Sequence, residues 1–90
     1  MGFYGIIEAH VDFPDINEDK KQEIIKNINE YVTMDSVDKN SVTFSEESHF
    51  SYEMVDDLKR MLEELKTENK IKEGRIYIWC LEEPDETIYI

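Results

Sequence analysis

Ninety residues, 40% of them hydrophobic and 11% aromatic, can fill one modest core, so a single domain over 1–90 is expected and wholesale disorder is not, although 36% of the chain is charged. A net charge of −12 counts against direct binding of nucleic acid or anionic membranes, because nucleic-acid affinity begins with neutralising phosphates. The single cysteine, Cys80, excludes an internal disulfide, and a reducing cytoplasmic setting is the expectation.

The N-terminal stretch Met1–Pro14 has no Lys or Arg and no long apolar run, so it does not read as a signal peptide. Ile6 stands where a myristoylation motif needs Ser or Thr, and no apolar run approaches bilayer length. What this stretch does show is alternation. Phe3, Gly5, Ile7, Ala9, Val11 and Phe13 share one face, while Tyr4, Ile6, Glu8, His10 and Asp12 share the other. Period two over this length predicts a half-buried strand, ended by Pro14.

Asn17 then offers an N-cap, followed by Glu18 and Asp19, whose charges suit a helix N-terminus. Ile24, Ile25, Ile28 and Tyr31 or Val32 recur at helical spacing, predicting a helix from about 17 to 32. The segment TMDSVDKN reads as a loop and SVTFSEE (41–47) as a short strand with Val42 and Phe44 inward. An alternative pairs Tyr31–Met34 with Ser41–Phe44 as an extra hairpin.

Ser51 is the next N-cap, with Phe50 and Val55 placed as a hydrophobic staple. Met54, Val55, Leu58, Met61, Leu62 and Leu65 trace an apolar stripe that predicts a second helix over about 51–68. Gly74 is expected to turn the chain into two closing strands within RIYIWCLEEPDETIYI.

The order β-α-β-α-β-β predicts an α+β fold. It should be a two-layer α/β sandwich: an about four-stranded mixed sheet, two helices on one face and a C-terminal antiparallel hairpin. Helix-linked strands would be parallel where adjacent, with right-handed crossovers. In the hairpin, a three- or five-residue loop centred on Pro84 sets Ile78 against Ile90 and Cys80 against Ile88. Trp79 then faces Tyr89 and Leu81 faces Thr87, with Tyr77 on the same side. This register sorts the hairpin into an aliphatic side for the core and an aromatic side with no assigned cover.

The charge is unevenly placed. Residues 1–15, 40–58 and 76–90 contain no Lys or Arg, and these three segments account for the whole net charge. A basic protein surface is what such a field attracts. Lys66, Lys70, Lys72 and Arg75 form one basic spot, explained by the preference of helix C-termini for cations.

Little points to catalysis. Cys80 falls on the aliphatic side, where a lone thiol behaves as a small hydrophobe, and neither His10 nor His49 is tied to it by sequence context. Glu46, Glu47 and His49 lie close together, but no EF-hand loop, HExxH or paired CxxC accompanies them. No catalytic residue, cofactor or metal ligand is assigned. An aromatic sheet face beside two helices resembles the architecture of single-strand RNA-binding sheets, but the acidity of this face counts against that activity.

The expected function is a small, non-catalytic, acidic protein-binding module. It would act as an inhibitor or decoy on a basic surface of a nucleic-acid-handling partner, in the manner of immunity or phage counter-defence proteins. Usage rich in lysine, isoleucine and asparagine suits an AT-rich bacterial or phage genome. The expected partner-binding residues are Tyr4, Glu8, Tyr77, Trp79, Tyr89, Glu82, Glu83, Asp85 and Glu86. The alternative is a structural domain that homodimerises through its aromatic face.

Overall fold

The computed structural model describes residues 2–81 and 84–90. The chain forms β1 (Gly2–Asp12), α1 (Glu18–Asn29), β2 (Met34–Val37), β3 (Ser41–Ser51), α2 (Tyr52–Thr67), β4 (Glu73–Cys80) and β5 (Glu86–Tyr89). The strands make one five-stranded sheet in the order β2-β3-β1-β4-β5, with every neighbouring pair antiparallel. The α+β class and the two helices hold, but the sheet is neither four-stranded nor mixed.

The difference comes from β2, which lies in the segment expected to be a loop. Met34 pairs with Phe44 and Val37 with Val42, so the extra hairpin exists, beginning about three residues later than Tyr31–Met34. Tyr31 and Val32 are instead used at the end of α1. Their N–H groups donate to the Ile28 carbonyl, and Val32 is fully buried.

This added reversal makes β3 antiparallel to β1. The parallel partners, β1 with β2 and β3 with β4, are each separated by one inserted strand. Two interlocked split β-α-β units of this kind define a ferredoxin-like connectivity, here extended by β5.

Both helices start where their caps lie. The Asn17 side chain accepts from Lys20 N at 2.9 Å, and the Ser51 hydroxyl accepts from Met54 N at 3.1 Å. The end of α2 is a Schellman turn: Lys70 N donates to Leu65 O at 2.8 Å and Asn69 N to Lys66 O at 3.0 Å. Asn69, at φ 60°, supplies the left-handed residue, and buried Ile71 follows beside Leu65.

Gly74 therefore makes no turn. It sits inside β4 on the core side, where a Cβ would lie 3.3 Å from Ile90. Its lack of a side chain admits Ile90 to the sheet.

The core lies between the helices and one face of the sheet. Ile7, Ala9 and Val11 of β1, Val42 and Phe44 of β3 and Ile76 of β4 meet Ile24, Ile28, Leu58 and Leu62 of the helices. Among the described residues no polar or charged side chain is buried. Apart from the Cys80 thiol, the titratable side chains of the described residues therefore lie at or near the surface. No described helix is long and apolar enough to cross a membrane.

Candidate interaction surface

The helices cover one side of the sheet and leave the other open. Because side chains alternate along a strand, cross-strand register decides which residues share that open face. One row runs Glu47, Ile6, Trp79 across β3, β1 and β4; the next runs Ser45, Glu8, Tyr77, Thr87; a third runs Thr43, His10, Arg75, Tyr89.

Tyr4, Ile6, Trp79 and Leu81 gather at one end. Trp79 is 41% exposed, Tyr4 40% and Leu81, just past the end of β4, 65%, large fractions for apolar side chains. No residue of β5 pairs beside Trp79, so its β neighbour is Ile6.

The hairpin register differs from the expected one. Arg75 lies opposite Tyr89, Ile76 opposite Ile88, Tyr77 opposite Thr87 and Ile78 opposite Glu86. The shift is an even number of residues, so the aliphatic and aromatic sides remain sorted while the pairs change. Tyr89 now sits four residues along from Trp79, about 13 Å at the rise of a β-strand.

A physical reason is visible at both ends of the pairing. Cys80 would next meet Pro84, which has no N–H to give. At the other end, Ile90 N donates to Gly74 O at 2.9 Å, and Lys66 Nζ donates to Ile90 O at 2.7 Å.

Of the expected partner-binding residues, Tyr4, Glu8, Tyr77, Trp79 and Tyr89 are brought together on the open face. Asp85 joins them, because the Tyr77 hydroxyl donates to its carboxylate at 2.6 Å. Glu86 does not: opposite Ile78, it belongs to the helix side of the sheet. Glu82 and Glu83 lie outside the described residues.

Polar contacts order much of this surface. The Tyr4 hydroxyl donates to Glu47 at 2.9 Å, and its ring meets the His49 imidazole edge-on at 4.9 Å between centroids. The bond to Glu47, then the charge of that carboxylate, raises the Tyr4 pKa above its ordinary value. Tyr77 is raised likewise, first by its hydrogen bond to Asp85. His10 lies between Thr43 Oγ1 at 3.1 Å and Asp12 at 3.2 Å.

Sequence reasoning missed Arg75 as part of this face. Sequence proximity groups it with the lysines at and after the end of α2, but Lys66 holds Ile90 and Lys70 lies 3.6 Å from Glu68. Arg75 instead lines a shallow depression of about 380 Å³, together with Glu8, His10, Thr43, Tyr77, Thr87 and Tyr89. The signal was present, since residues 75, 77 and 79 share strand parity. Arg75 is the one Lys or Arg on the open face; the other nine lie on the helices and their connections or at Lys39 in the β2–β3 turn. Against it stand Glu8, Asp12, Glu47 and Glu73.

The cluster at 46–49 does not hold together as a ligand set. Glu46 accepts from Thr33 N and Oγ1 at 3.2 and 2.5 Å, while Glu47 binds Tyr4 on the open face. Among the described residues no group of three or more His, Cys, Asp or Glu is gathered to hold a metal. Cys80 is buried on the core side. No family model, curated protein or solved structure matches this chain.

Proposed function

We propose that this chain is a non-catalytic binding module that lays the open face of its sheet on a basic protein surface in the cytoplasm. The observation that carries this reading is the cluster of exposed Tyr4, Trp79 and Leu81 with half-buried Ile6 on a face that no other described element covers, bordered by carboxylates with a single arginine among them. Tyr and Trp are the side chains that most often anchor protein interfaces, because each desolvates a large ring while keeping a polar edge for hydrogen bonding. Rim carboxylates steer a cationic partner and reject an anionic one.

The matching surface is one that normally receives phosphates, so the partner class is a nucleic-acid-handling protein and the action is to occupy its binding groove. Inhibition of the immunity or counter-defence type is the corresponding action, and it needs no chemistry on the module. A second copy is a poor occupant of this face, since stacking two copies sets Glu8, Asp12, Glu47 and Glu73 against the same carboxylates.

Capture from an extract of the source cell with wild type and Trp79→Ala in parallel tests the proposal. Wild type should retain a basic protein, and Trp79→Ala should lose it while its own stability changes by less than about 1 kcal/mol. Retention of the same protein by a folded Trp79→Ala chain would remove the open face from the function.

A further inference from the structure

The sheet ends in two edges that are built differently. The β2 ladder shifts register between Met34 and Ser36, and such an irregularity discourages further pairing. The β5 ladder is unbroken from Glu86 to Tyr89. The bond from Ile90 N to Gly74 O sets the direction of every backbone group in β5. Opposed residues in an antiparallel pair alternate between those that exchange hydrogen bonds and those that do not. Glu86, Ile88 and Ile90 therefore bond inward to β4, while the N–H and C=O groups of Thr87 and Tyr89 point away from the sheet.

We propose that this edge pairs with the same edge of a second copy, antiparallel about a two-fold axis at Ile88, joining two sheets into one. Thr87 then exchanges both hydrogen bonds with the partner's Tyr89, and Tyr89 with the partner's Thr87. The outward groups of one β5 are thus satisfied by the outward groups of another. On the helix side, Glu86 falls opposite the partner's Ile90, the residue whose own inward-facing carbonyl Lys66 holds in each copy. The register thus brings a carboxylate to the strand end that an ammonium holds, at both ends of the pairing.

On the open side, the partner's Tyr89 comes to lie beside Thr87 and adds a ring to the rim of the Arg75 depression. The two acidic faces stand edge to edge, so their carboxylates do not oppose one another. This is why the edge accepts a second copy and the face does not.

Sedimentation velocity from low to high micromolar concentration, at physiological ionic strength, should show a reversible dimer. Thr87→Pro is the discriminating variant, because β4 does not use the Thr87 N–H and edge strands tolerate proline. It should weaken dimerisation at least about tenfold, with two hydrogen bonds lost per dimer, and leave circular dichroism unchanged. Amide exchange in the unaltered chain reads the same pairing: Thr87 and Tyr89 should exchange more slowly as concentration rises. A chain that sediments as a monomer throughout would overturn the proposal. So would a dimer that survives Thr87→Pro, or exchange at Thr87 and Tyr89 that is indifferent to concentration.

Discussion

The two faces of this sheet are written in the same strands, one residue apart, and they carry different burdens. Along β1, Ile7, Ala9 and Val11 have no exposed surface, whereas Tyr4, Ile6, Glu8 and His10 between and before them reach the open side. The first set is constrained by volume, since each side chain is packed into the buried cluster between sheet and helices. The second is constrained mainly by its cross-strand neighbours. It can therefore be occupied by residues chosen for contact, and it holds Trp79, Tyr4 and Arg75 where a purely solubilising face would hold short polar groups. Stability resides on the covered face, and the recognition proposed above is assigned to the open one.

The contrast can be broken most forcefully at Phe44, which is fully buried. Phe44→Ala should cost about 3–5 kcal/mol in denaturant unfolding, a large share of the stability of so small a domain. Trp79→Ala is the control on the opposite face, and a comparable loss there would mean that the open face is structural after all.

Gly5 tests whether the faces are mechanically separate. A Cβ at this position would lie 2.2 Å from the Trp79 carbonyl and 3.2 Å from the Cys80 Cα, so backbone must move. Gly5→Ala should cost about 1–3 kcal/mol and displace β4, shifting Trp79 fluorescence. Unchanged emission with reduced stability would confine the disturbance to the core side.

The smallest effect is an alkaline one. Tyr4 and Tyr77 hold their protons above the ordinary value of 10.0 because each donates to a carboxylate. The unfolded chain loses these protons first, so this contribution to stability is complete below pH 10.0 and fades as the pH rises beyond it. In an ultraviolet titration, Glu47→Gln should bring phenolate formation at Tyr4 to lower pH. A curve that does not move would detach the Tyr4 shift from Glu47.

Much of this was legible in the chain. Alternation from Phe3 to Phe13, the Asn17 and Ser51 caps and the stripe through Leu58 and Leu62 each express a local rule, and each appears in place. Parity also sorted the closing hairpin, because an even shift in register leaves every side chain on its own face. Three features escaped. β2 has little hydrophobic patterning of its own, Gly74 resembles a turn residue in sequence although Asn69 makes the turn, and sequence proximity groups Arg75 with the lysines at the end of α2.

The sequence by itself determined the helices, the two-sided strands and the uneven charge, since these depend on neighbours within a few residues. Only the tertiary structure decided strand order, the pairing of Arg75 with Tyr89 and the separation of Tyr89 from Trp79. Those depend on which distant backbones meet. In the closing hairpin the register was settled by the absence of a side chain at Gly74, the missing N–H of Pro84 and the reach of Lys66 to Ile90, none of which acts locally.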